Sequence, residues 1–100
     1  MILYNVTVKI DNDFRDEWLD WMKNVHIPEV MGTGLFVEYK ICRLLELDDS
    51  DGYTYAIQYF ALNMSDYNRY RNEYGPSLQQ KHTEKFRDKF VAFRTIMEVL

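Results

Sequence analysis

The feature that most constrains this chain is a change of hydrophobic period across His26-Ile27-Pro28-Glu29-Val30-Met31-Gly32-Thr33-Gly34-Leu35-Phe36. Before it, Phe14, Trp18, Trp21, Met22 and Val25 recur at helical spacing; after it, Val37, Tyr39, Ile41 and Leu45 follow a strand-like pattern. Proline lacks the amide proton a helix needs, and glycine admits unusual backbone angles. A helix over about Asp13 to Val25 is therefore expected to end here, with the chain re-aimed through Gly32 and Gly34. Trp18, Trp21 and His26 collect at this corner, which makes it the expected wall of any ligand site.

The rest of the chain supplies partners for that helix. Ile2, Tyr4, Val6, Val8 and Ile10 alternate with Leu3, Asn5, Thr7 and Lys9, the period-two signature of a first strand. Asp11-Asn12-Asp13 offers N-caps, and Asp16 and Glu17 suit a first helical turn. A second strand is expected from Leu35 to Leu47. Asp48-Asp49-Ser50-Asp51-Gly52 reads as a solvated hairpin turn whose Asp and Gly residues supply positive backbone angles. Tyr53 to Leu62 is the third strand.

Ser65 is the expected cap of a short helix carrying Tyr67, Tyr70 and Tyr74 and ending at Gly75; Pro76 opens another, from Ser77 to about Lys89, with Leu78, His82, Phe86 and Phe90 on one stripe. Val91, Phe93, Met97 and Val99, alternating with Arg94 and Glu98, form a fourth strand. The order is β-α-β-β-α-β, with the last helical segment in two pieces. This is an α+β, ferredoxin-like arrangement: a four-stranded antiparallel sheet with helices on one face. One hundred residues, 47% of them hydrophobic, suffice for a single domain over 1–100 with a small core.

Composition narrows the partners. A net charge of −4 and the lack of any basic block argue against nucleic acid. Tyr53 to Phe60 carries alternating aromatics, as RNA-recognition strands do, but without the basic, glycine-led start of that motif. Cys42, the one cysteine, is expected to be an ordinary buried thiol in a reducing compartment. The N-terminal residues do not form a signal peptide, and no segment is long and apolar enough to span a bilayer. A cytoplasmic protein, complete from its first residue and without membrane contact, is expected.

The strands are apolar on both sides, and that predicts self-association. Helices shelter only one face of a sheet, yet the other would still present residues such as Leu3, Phe36, Leu44, Ala56, Phe60, Leu62 and Ile96. At roughly 25 cal/mol per Å² of apolar surface, leaving such a face wet forfeits several kcal/mol. A second copy of the chain is the expected cover.

The helix-one Trp residues leading into His26-Ile27-Pro28, the Gly34-Leu35-Phe36 lead into strand two and the closing Phe90-Val91-Ala92-Phe93-Arg94-Thr95 together resemble a bacterial family of unknown function. That family is placed in the dimeric α/β-barrel superfamily. The resemblance covers essentially the whole chain. It implies a homodimer with its two sheets face to face, a cleft in each subunit between sheet and helices, and no established activity. Asn5 also resembles the strand-one Asn of some haem-degrading and quinone-forming monooxygenases of the superfamily, and His82 stands for their helix-two His; their strand Trp is absent from strand three, where only Tyr occurs.

Two residues are candidates for chemistry. His26 titrates near neutrality and sits beside Trp18, Trp21, Met22 and Glu29, where it either lines a pocket or caps the last carbonyls of helix one. His82 is expected to face inward, as a hydrogen-bonded core residue or as a second proton carrier in the same cavity. Neither a metal nor a cofactor is expected. Asn5, Trp18, Trp21, Met22, Tyr59 and Tyr70 are the candidate ligand contacts, since so many hydroxyl-bearing aromatics suit a pocket for a flat organic molecule. The leading expectation is a homodimeric small-molecule-binding protein that could be a cofactor-independent enzyme of monooxygenase, cyclase or isomerase type, acting on an aromatic or polyketide-like compound. The alternative is a non-catalytic dimerisation or ligand-sensing module. Whether the chain is an enzyme is left open.

Overall fold

The computed structural model describes residues 1–100. Four strands, β1 (Ile2–Asp11), β2 (Glu38–Arg43), β3 (Gly52–Ala61) and β4 (Phe90–Glu98), form one antiparallel sheet in the order β2-β3-β1-β4. This is the expected ferredoxin-like topology. The helices α1 (Arg15–Trp21), α2 (Ile27–Met31), α3 (Met64–Glu73) and α4 (Gly75–Lys85) pack on one face. Trp18, Ile27, Val30, Tyr70, Leu78 and Phe86 are buried there against Tyr4, Val8, Ile10, Tyr55, Ile57 and Tyr59 of the sheet. Burying each such side chain stabilises by roughly 1.5–3 kcal/mol. No helix is long and apolar enough to cross a membrane.

The first helix does not stop at Val25. A wide turn over Met22–His26, closed by a bond from the Ile27 amide back to the Met22 carbonyl five residues earlier, joins α1 to α2, and Pro28 lies within the first turn of α2. A π turn of this kind is one of the few places where a helix absorbs the missing donor of a proline and the bulk of its ring. The turn also matters for geometry. In an α-helix each step of four residues drifts by about 40° around the axis; the wider turn reduces the drift, so Met22, His26 and Val30 stay on one side.

Other boundaries differ from the sequence expectation for local reasons. Strand two is shorter than Leu35 to Leu47: Leu35 and Phe36 are buried ahead of β2, and after a last bond from the Leu44 amide to the Thr54 carbonyl the chain leaves the ladder, with Glu46 at a left-handed φ of 60°. In the hairpin, Gly52 is already part of β3 and is not left-handed; it is needed because a Cβ there would lie 2.7 Å from the Ile10 carbonyl oxygen. Asn63 rather than Ser65 caps α3, its side chain accepting from the Asp66 amide at 2.8 Å. The last helix ends at Lys85 rather than near Lys89, and Asp88 turns the chain with a φ of 65°.

Side-chain faces follow the register. Residues Tyr4, Val6 and Val8 of β1 share the helix-covered face with Ile96, Arg94 and Ala92 of β4. Leu3, Ala56, Phe60, Val91, Phe93 and Met97 share the open one. The apolar set of the fourth strand therefore points away from the helices, and Arg94 points towards them. Phe36 and Ile96 are corrected as open-face residues: Phe36 is buried against Tyr59 and Tyr70, and Ile96 pairs with Tyr4. Cys42 is exposed rather than buried, because it lies on the edge strand β2, on the open face.

Candidate functional site

Between sheet and helices lies a cavity of about 30 Å³, floored by Tyr4, Val6 and Val8 of β1 and Ile57 and Tyr59 of β3, and walled by Met22, His26 and Val30 of the first helical stretch. Tyr70 of α3, Gln79 and His82 of α4, and Phe90, Ala92 and Arg94 of β4 complete it. A second recess of about 200 Å³ adjoins it and shares Tyr4, Tyr70, Gln79 and Arg94, adding Tyr67 and Arg71.

The two imidazoles meet here, their ring centroids 5.9 Å apart. His82 is 8% exposed and is held from behind: the Trp18 indole Nε1–H donates to His82 Nε2 at 2.8 Å. Indole nitrogen only donates, so His82 Nε2 must carry its lone pair and the ring proton sits on Nδ1. Nδ1 has no protein acceptor, yet it is not sealed away as an orphaned buried atom. His82 thus presents an N–H towards the cavity. His26 is half-buried, stacked on Trp21 with centroids 5.1 Å apart, and makes no hydrogen bond to the protein. It caps nothing, because the helix runs on past it.

Electrostatics keep both rings neutral. Burial lowers the His26 pKa to about 4, opposed by Glu29 and reinforced by Arg94 and Lys81. Burial likewise lowers His82 to about 4, helped by the Arg94 charge and by the proximity of His26, since the two rings resist being protonated together. The Tyr59 and Tyr70 hydroxyls are pushed up by burial and by neighbouring tyrosines, so both stay protonated as donors. Arg94 Nε donates to the Tyr4 hydroxyl at 3.1 Å.

Of the residues expected to form the site, His26, His82, Met22, Tyr59 and Tyr70 line the cavity together. Trp18 is wholly buried one layer behind, against Tyr55 and His82, and Trp21 backs His26; both position imidazoles instead of touching the cavity. Asn5 is corrected: the odd-numbered residues of β1 point to the other side of the sheet, where its amide donates to the Thr7 hydroxyl at 3.0 Å. Sequence reasoning missed Arg94 and Gln79. Arg94 shares parity with Phe90 and Ala92, and also with Ile96, which the sequence expectation set on the open face.

The profile of a family described as "Domain of unknown function (DUF4286)" matches residues 1–100. No curated relative matches the chain. Among solved structures, a dimeric ferredoxin-like protein from an uncultured marine organism is similar at a TM-score of 0.71 and 12% identity, over 100% of this chain and 95% of that one. HapK from Hahella chejuensis is similar at a TM-score of 0.68 and 14% identity, over 100% and 93%. SnoaB from Streptomyces nogalater, a cofactor-independent oxygenase, is similar at a TM-score of 0.62 and 12% identity, over 98% and 92%. At these identities the likeness establishes the fold.

Proposed function

The chain belongs to the DUF4286 family, and from its cavity we propose a single-domain homodimer that binds a small organic molecule between sheet and helices and moves a proton on it without a cofactor. The Trp18 to His82 hydrogen bond carries this reading. It fixes His82 as a neutral N–H donor, suited to stabilising a developing oxyanion, next to His26, whose nitrogens are free of protein partners. His26 takes a proton from a carbon or hydroxyl made acidic by His82 and returns it elsewhere on the ligand, which amounts to isomerisation or cyclisation. A base of pKa about 4 is weak, so this chemistry requires a substrate that is already readily enolised. The dimeric, ferredoxin-like relative and the apolar open face support the homodimer.

Size restricts the ligand. Sites for drug-sized molecules run to roughly 300–1,000 Å³, whereas this cavity is about 30 Å³ and its neighbouring recess about 200 Å³. The two spaces meet at Tyr4, Tyr70, Gln79 and Arg94, and Gln79 makes no hydrogen bond that would hold it between them. A single-ring compound fits that space better than a fused polyketide.

The test is deuterium exchange at the activated CH₂ of benzoylacetone, a one-ring diketone, followed by NMR at pH 7. The expected result is exchange at least ~100-fold faster than with equimolar free imidazole, lost in His26→Ala and in His82→Ala variants whose fold is verified by circular dichroism. Exchange unchanged by both variants overturns the assignment. Binding without exchange reduces the protein to a ligand-binding module, the second reading, which the low basicity of both imidazoles favours.

A further inference from the structure

We infer that the ligand is a small organic anion, a monocarboxylate, whose carboxylate is held by Arg94 in the recess adjoining the imidazoles; this rests on the ligand-binding reading above. The recess and the cavity together are lined by Arg94, Arg71, His26 and His82 and by no aspartate or glutamate. In a chain of net charge −4, with sixteen acidic residues against twelve basic ones, such a lining departs from the overall balance. Neither Arg94 nor Arg71 is in an ion pair, whereas Arg15, Arg43 and Arg69 each hold a carboxylate. Arg94 uses Nε to donate to the Tyr4 hydroxyl, which fixes the guanidinium and leaves its two terminal nitrogens for a bidentate partner.

The surrounding hydroxyls fit the same ligand. Tyr67 and Tyr70 line the recess without a protein hydrogen-bond partner, and neither hydroxyl is sealed from water. Both are available as neutral donors to the second face of a carboxylate. Gln79, common to both spaces, offers a further amide donor. A carboxylate seated on Arg94 projects its organic remainder past Gln79 and Tyr70 towards His82 and His26, over the apolar floor of Val6, Val8 and Ile57. Anchor, floor and proton-handling groups then follow one another along one path.

The experiment compares benzoate with benzamide, its uncharged near-isostere, by titration calorimetry and by the NMR signals of the two imidazoles. The wild-type protein is expected to bind benzoate at least tenfold more tightly than benzamide. Arg94→Gln, which keeps a donor for Tyr4, is expected to erase that preference, and Arg94→Lys to retain part of it. Arg71→Gln, at an exposed position, provides a second reading of the same charge. Equal binding of benzoate and benzamide, or an undiminished preference in folded Arg94→Gln, overturns the anion assignment and leaves the cavity as a site for neutral ligands. Failure of both compounds to bind or to shift the imidazole signals at millimolar concentration overturns this inference and the ligand-binding reading beneath it.

Discussion

The Trp18 indole nitrogen lies 2.8 Å from Nε2 of His82, a contact between residues 64 positions apart in sequence. It ties the first helix to the last and chooses a tautomer at the same time. Protonating His82 would set an N–H against an N–H, so the bond disfavours the imidazolium beyond what burial alone does.

Trp18→Phe isolates that effect. The aromatic bulk largely remains, the donor is lost, and an uncharged His82 is free to carry its proton on either nitrogen. Stability is expected to fall by about 1–3 kcal/mol, from the lost hydrogen bond and the reduced packing against Tyr55. Long-range ¹⁵N correlation spectra check the tautomer. The wild-type should show a single Nδ1–H form, and the variant a mixture with a pKa shifted back towards 6.5 from its folded value of about 4.

The same two imidazoles make stability depend on acid. Both have a pKa near 4 in the folded protein against 6.5 in the unfolded chain. Between those values the unfolded state binds more protons, so stability rises with pH there. Their full favourable contribution is present above about pH 6.5 and is lost progressively as pH falls to about 4; below that, this contribution levels off. The loss is on the order of 3 kcal/mol per imidazole. Asp48 and Asp51, held below the usual carboxylate range by Ser50 and Lys9 respectively, add their own loss at lower pH. Urea denaturation at pH 7.5, 6.0 and 5.0 measures the slope, and His26→Asn should flatten it by about half.

The sequence made the order of strands and helices legible because period-two and helical patterns alternate cleanly along it, and Pro76 marked a helix start. It misread the face of the fourth strand for a physical reason. Val91 and Phe93 look like core, and they would be if the helices were the only cover available. Arg94 looks like surface and is exposed, but on the edge strand β4 it has the inner-face parity and reaches the rim of the mostly apolar cavity. The site was half legible: His26 and His82 could be named, whereas their approach depends on a wide helical turn that no hydrophobic pattern announces. Asn5 is misplaced because a position within a strand does not by itself say which parity faces the helices.

That misreading bears directly on assembly. Phe93 is 63% exposed and Val91 68% exposed, and the register sets them beside Leu3, Ala56, Phe60 and Met97 on the sheet face that no helix covers. An aromatic side chain buries roughly 150–250 Å² when enclosed; at about 25 cal/mol per Å², burying a Phe93 still 63% exposed gains on the order of 2–4 kcal/mol per subunit. The open face therefore favours a second copy lying sheet to sheet, with Phe93 near the centre of the contact. Phe93→Glu places a charge there and should cost several kcal/mol per dimer, since an interface glutamate must be desolvated without a cation. Sedimentation equilibrium at micromolar concentration should show a wild-type dimer and a monomeric Phe93→Glu variant whose circular dichroism is unchanged. A variant that sediments as the wild type does would move the interface away from this face, and a wild-type monomer would remove it altogether.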